Sequence, residues 1–126
     1  MSTKIKGNDS VRLNGESADR DLSGIATAWA NIQGSGTVAI QDSLGVSSIA
    51  DNGTGDYTYT WANAMSNGDY SYSGSGGDSP LDLAVPSNQY TDHPPATGSI
   101  RIDVLYANAL SWDPARTTLQ VMGDLA

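Results

Sequence analysis

VSSIADNGTGDYTYTW, residues 46–61, is the stretch whose reading decides the fold. In its second half Tyr57, Tyr59 and Trp61 alternate with Thr58 and Thr60. A period of two sends the aromatics to one face of a strand and the threonines to the other. Aromatic and β-branched side chains suit a pleated, half-buried surface. Ahead of them, Asn52-Gly53 and then Gly55 supply residues that accept positive φ at low cost, the mark of a tight reversal between two strands. A β-hairpin is therefore predicted here, and the rest of the chain is read against it.

Upstream, the pattern predicts strands over 26–33 and 37–42, broken by Gly34-Ser35-Gly36. Downstream, Tyr70 and Tyr72 share a face in a strand over 69–75. Residues 74–95 hold three glycines and four of the five prolines, which excludes a central strand through most of that length. Leu81, Leu83 and Val85 alternate and predict one short edge strand between Pro80 and Pro86, with Tyr90 anchoring the loop beyond. Over 98–108, Ile100, Ile102, Val104 and Tyr106 oppose Arg101 and Asp103. A turn around Trp112 then leads to a last strand with Leu119 and Val121 inward. About seven strands at eight- to twelve-residue spacing argue an all-β sandwich or small barrel. The specific expectation is a small antiparallel β-sandwich, jelly-roll-like, over residues 25–126. Residues 1–24 alternate only weakly, at Ile5, Val11 and Leu13, while Gly7 and Gly15 interrupt any helical period. They read as an extended N-terminal arm.

A chain of 126 residues holds one domain plus such an arm, burying roughly two-thirds of its unfolded surface. It has no Phe, so the core must rest on three Trp and six Tyr among scattered Ile, Val and Leu. So thin a core makes subunit contacts a contributor to stability. A homotrimer is expected, burying part of the Tyr57, Tyr59, Trp61 stripe between subunits. With no cysteine there are no disulfides, thiolate metal sites or cysteine nucleophiles. The net charge of −8 is unevenly placed: from Asp21 to Ile100 there are eight aspartates and no Lys or Arg. An acidic body repels nucleic acid and anionic lipid, so neither is an expected partner. The basic residues Lys4, Lys6, Arg12 and Arg20 crowd the arm instead.

Several motifs within residues 28–72 carry a resemblance: Trp29-Ala30-Asn31, Gly34 to Val38, Val46 to Ile49, Asp51 to Tyr57, Ala64-Met65 and Tyr70. Together they resemble a small domain of tailed-bacteriophage tail fibres and related virion surface proteins, with Ile32 where that family usually carries an aromatic. The resemblance implies an all-β module acting in a virion, usually as a trimer. Because the arm is too short for a long fibre shaft, a head decoration, a neck or tail accessory knob, or a short fibre is expected. The implied partners are further copies of the chain and other virion proteins of capsid, neck or tail. Lys4, Ile5, Lys6, Val11, Arg12 and Leu13 are then the expected virion-anchoring residues. The start of the chain, MSTKIKGNDS, lacks the apolar core of a signal peptide, and no run approaches a membrane span. The expected route is therefore synthesis in a bacterial cytoplasm and residence in the virion.

Chemistry for an enzyme is sparse. His93 is the single histidine and precedes two prolines in the irregular segment; the ordinary-loop reading is preferred over a catalytic base, because Ser and Asp are everywhere in this sequence. Paired carboxylates of the glycosidase kind are disfavoured by a single Glu, Glu16, in the arm. Asp51 to Asp56 spaces oxygen ligands closely, yet Asx residues with glycine already explain a turn. No catalytic residue, metal or cofactor is expected. Recognition is the better option: Tyr90 and Trp112, with His93, are candidates for stacking a host surface glycan. Tyr57, Tyr59 and Trp61 are candidates for glycan or subunit contact. Adhesion to a host glycan is thus the alternative to a purely structural role.

Overall fold

The computed structural model describes residues 4–6, 10–12, 20–21, 26–78, 84–88 and 90–126, the first three segments in their backbone alone. Three short strands, β1 (Lys4–Lys6), β2 (Ser10–Arg12) and β3 (Arg20–Asp21), pair antiparallel in the order β1-β2-β3. The expected extended arm is corrected accordingly: its backbone doubles back, pairing Lys4 with Arg12 and Ile5 with Val11.

Eight further strands form one antiparallel sheet: β4 (Ala28–Gln33), β5 (Ala39–Leu44), β6 (Val46–Gly53), β7 (Asp56–Trp61), β8 (Ser71–Gly77), β9 (Ala84–Asn88), β10 (Ser99–Tyr106) and β11 (Arg116–Met122). Their order is β5-β4-β11-β8-β9-β10-β7-β6. Within it β8 to β11 lie as β11-β8-β9-β10, a Greek key. The two edge strands, β5 and β6, are joined through Gly45 alone, which adopts φ 71°. A Cβ there would stand 2.9 Å from the Thr27 carbonyl oxygen, so glycine alone makes this crossing. Gly45 O accepts from Ala62 N at 2.9 Å. The edges approach each other, and the sheet is nearly closed and barrel-like.

The main sheet has eight strands where about seven were expected. The largest departure is β9, expected as a short edge strand between Pro80 and Pro86. It lies instead between β8 and β10, and over Ala84–Asn88 it runs through Pro86. It pairs with β10 from Ala84 to Asn88 but with β8 only at Gly76↔Ala84. A proline is tolerated where one side of a strand has no ladder to maintain. The opening is bridged by Asn88 N, which donates to Tyr72 Oη at 3.1 Å. Leu81 and Leu83 lie outside the described residues.

Alternation fills the interior. Ala28, Ala30 and Ile32 of β4, Tyr57, Tyr59 and Trp61 of β7, Ile100, Ile102 and Val104 of β10, and Leu119 and Val121 of β11 make one buried cluster with Met65 and Tyr70. Trp61 and Tyr70 meet edge to face at 5.9 Å, an arrangement the ring quadrupoles favour. Building a core from tyrosine buries hydroxyls, and most are turned into ties. Tyr57 donates to Asp113 Oδ1 at 2.8 Å, and Tyr70 Oη lies 2.9 Å from Ala96 O and 3.0 Å from Ser99 O. Tyr59 Oη is buried without a partner.

Candidate functional site

The aromatic stripe expected at a surface is inside. Tyr57 and Tyr59 are fully buried and Trp61 is 5% exposed, so none of them meets a glycan or another subunit. The stripe is used up in the chain's own core. Alternation told that the three share a face; it did not tell which face turned inward. Tyr90 is 72% exposed. Trp112 is half-buried, packed against the core and stacked on Tyr106 with centroids 4.3 Å apart. Tyr90 and His93 belong to the segment before β10, whereas Trp112 packs at its far end. Five residues of strand between Arg101 and Tyr106 span roughly 17 Å, so these side chains do not form one patch. Of the arm residues, Lys4, Ile5, Lys6, Val11 and Arg12 are placed by backbone only, and Leu13 lies outside the described residues.

Two places gather polar side chains. The first is a cleft of about 350 Å³ lined by Thr58, Asp92, His93, Pro94, Ser99 and Arg101. Arg101 holds Asp56 through both carboxylate oxygens, Nε–Oδ1 at 2.8 Å and Nη2–Oδ2 at 2.6 Å. These hydrogen bonds keep the Asp56 carboxyl below its ordinary range. Asn52 Nδ2 adds a bond to Asp56 Oδ1 at 3.3 Å. Arg101 Nη1 stands 3.0 Å from His93 Nε2; a guanidinium only donates, so this nitrogen accepts and the ring hydrogen belongs on Nδ1. Asn88 Nδ2 then fastens the same segment through His93 O at 3.0 Å and Arg101 O at 2.6 Å. The lone pair a general base needs is committed to Arg101, and the arrangement works as a latch on the loop before β10. At the hairpin tip, Asp51 Oδ1 accepts from Gly53 N at 3.0 Å, which is turn chemistry. Among the described residues no group of three or more potential metal ligands occurs.

The second place is a groove of about 550 Å³ on the outer face of β4, β11 and β8, lined by Trp29, Asn31, Ser73, Ser75, Thr118 and Gln120 among others. Register builds it. Gln120 lies opposite Trp29 on one side and Ser73 on the other, and Thr118 lies between Asn31 and Ser75. Directly opposite residues share a face, so these make two rows separated by roughly 7 Å along the strands. Gln120 Nε2 donates to Ser73 Oγ at 3.2 Å, and Ser75 Oγ and Thr118 Oγ1 are 3.2 Å apart. Beyond Trp29, Leu44 of β5 is 56% exposed. The sequence reading passed over this groove. Its signal was in AWANIQ, where Trp29 and Asn31 fall opposite Ala28, Ala30 and Ile32.

Comparison with protein-family models, with curated proteins and with solved structures finds no match to this chain.

Proposed function

We propose that this chain is a non-enzymatic structural module of a tailed-phage virion, exposed on the particle as a head decoration, neck or tail knob, or short fibre. Residues 1–24 attach it, and the acidic β body faces outward. One observation carries the reading: the residues behind the phage-fibre resemblance fall in β4, β6 and β7 and in the connecting segments beside the strands. Ala30, Tyr57, Met65 and Tyr70 are core residues, and Gly55 is the close-packed turn of the hairpin. The resemblance therefore falls on what specifies the fold, and the family's role is carried over on that basis. Association of three copies belongs to the same proposal, through surfaces other than the buried aromatic stripe. So does the finer description as a jelly-roll-like sandwich. The single β8–β9 residue pair divides the sheet into halves β5-β4-β11-β8 and β9-β10-β7-β6, which serve as the two layers.

Cryo-microscopy of the parent particle tests this. Density for the chain on the virion surface is expected, and its absence from every surface overturns the reading. Removing residues 1–24 leaves the body folded and abolishes attachment. Exposed ion pairs are worth about 0–1 kcal/mol each, so salt weakens attachment only in part, whereas Val11→Asp with Leu13→Asp abolishes it. Binding of a chain beginning at Ile25 with full affinity places the anchor elsewhere. A second reading, adhesion to a host glycan, is favoured by the outer groove beside Trp29 rather than by Tyr90 and Trp112.

A further inference from the structure

We infer that the groove over β4, β11 and β8 binds a neutral pyranose glycan, with the sugar ring stacked on Trp29 and its hydroxyls bonded by Asn31, Thr118 and Gln120. The inference deepens the adhesion reading and rests on it for biological use; the binding chemistry is read from the side chains themselves.

The lining restricts the ligand by charge. Trp29, Asn31, Ser73, Ser75, Thr118 and Gln120 are all uncharged, in a chain of net charge −8. Charges stand at the margin: Asp42 opposite Asn31 on β5, its carboxylate accepting from Ser43 N at 2.9 Å, and Arg116 opposite Gly77. An anionic ligand finds no cation within the lining, only Arg116 at one margin and the Asp42 carboxylate at the other. A purely apolar ligand desolvates two amides and three hydroxyls and offers no partner to Asn31 Oδ1, which is unfavourable. A polyhydroxylated ring meets both demands. Its C–H faces carry slight positive charge and lie well on the negative face of an indole, while its hydroxyls both donate and accept.

Geometry supports the same ligand. The groove falls in the range of roughly 300–1,000 Å³ common to small-molecule sites. The Gln120–Ser73 and Ser75–Thr118 contacts hold the floor in place before any ligand arrives, so little ordering is required on binding. Asn31 is not saturated by the protein, since its Oδ1 has no hydrogen-bond partner. The terminal amide torsion is broad, so it turns that oxygen toward a donor in the groove at low cost. Leu44 extends the apolar edge beside Trp29.

The test is an NMR titration of the full chain with methyl glycosides of glucose, galactose, mannose and N-acetylglucosamine at millimolar concentration, together with an array of neutral and acidic bacterial-surface oligosaccharides. Shifts are expected at the Trp29 indole N–H and at the Asn31 and Gln120 side-chain amides with at least one neutral saccharide. Trp29→Ala weakens that binding by about tenfold or more, and Trp29→Phe retains most of it. Gln120→Ala, an exposed position, serves as a second variant should Trp29→Ala not fold. The inference is overturned by no groove shift with any neutral saccharide, by shifts centred on Tyr90 instead, or by affinity unchanged in both variants. Concentration-dependent self-association that Trp29→Ala abolishes also overturns it, because the face then belongs to a second copy of the chain. Failure to find the chain on virions leaves these measurements untouched, so the two readings fail separately.

Discussion

Tyr57 and Asp113 are 56 positions apart in the chain, yet the phenol donates to Asp113 Oδ1 at 2.8 Å. The same oxygen accepts from Gly55 N at 2.6 Å. The next residue, Pro114, accepts through its carbonyl from Gly34 N at 3.0 Å and Ser35 N at 3.1 Å. Two short turns, one after β4 and one before β7, are thereby pinned to the segment preceding the last strand. Asp113→Ala leaves two donors at this junction without their acceptor, and is expected to lower stability by about 2–4 kcal/mol. Tyr57→Phe removes one bond and is expected to cost about 1–2 kcal/mol. Urea unfolding of the two variants checks the ranking; equal costs would place the junction's strength in something other than Asp113.

Gly55 adopts φ 65°, and a Cβ there would lie 2.6 Å from Trp112 O and 2.9 Å from Val104 O. Both neighbours are backbone and cannot swing aside. Gly55→Ala combines left-handed strain with a displaced hairpin tip, and is expected to cost about 3 kcal/mol or more. At Gly98 an added Cβ meets nothing within 4 Å, and Gly98→Ala is expected to stay within about 0.5 kcal/mol of the parent. Thermal melts of the pair separate local crowding from a general intolerance of alanine.

Acid should destabilise the protein in part through Asp56. Hydrogen bonds from Arg101 lower its folded pKa, so the unfolded chain takes up the proton first. The contribution is present in full above the unfolded aspartate value, about 3.9, and is lost as pH falls through the lower folded value. Asp56→Asn should lower stability at neutral pH and make the acid side of the stability profile shallower. Unfolding free energies measured from neutral pH into the acid range give the slope directly; an unchanged slope in the variant would remove Asp56 from the account.

The alkaline side follows the opposite sign. Burial raises the pKa of Tyr59, and burial together with the Asp113 bond raises that of Tyr57. Their contribution is present in full below the unfolded tyrosine value, about 10, and is lost as pH rises from there toward the folded values. Tyr59→Phe removes one such group and also a buried hydroxyl that has no partner. It is expected to be neutral or to stabilise by up to about 1–2 kcal/mol, and to move alkaline unfolding to higher pH. A loss above about 1 kcal/mol at neutral pH would mean that the hydroxyl has a partner in solution.

Local periodicity was enough to find nearly every strand of the eight-stranded sheet, though not the three short strands of the arm. The alternation of DYTYTW, SIRIDVLY and RTTLQVM is carried by neighbours two apart, and such spacing acts before any tertiary contact forms. Asn52, Gly53 and Gly55 likewise announced their turn, because φ preference belongs to the single residue. The inward face of β11, with Leu119 and Val121, was legible, but that of β7 was not. The Tyr57, Tyr59, Trp61 stripe, read as a contact surface, became core once Ile100 and Ile102 of β10 came to lie opposite it. Trp29, on the wet face of a strand whose small residues go inside, was left outside for the same reason. Pro86 ends a strand by every local rule, and it was retained in β9 because the β8 ladder had already opened beside it. Sequence by itself determined the all-β class, the turns and the acidic, cysteine-free character, since these follow from residue type and near spacing. The tertiary structure alone decided the strand order, the inward face of β7, the Asp56–Arg101–His93 latch and the groove beside Trp29. Those depend on pairings between residues tens of positions apart, which no local pattern encodes.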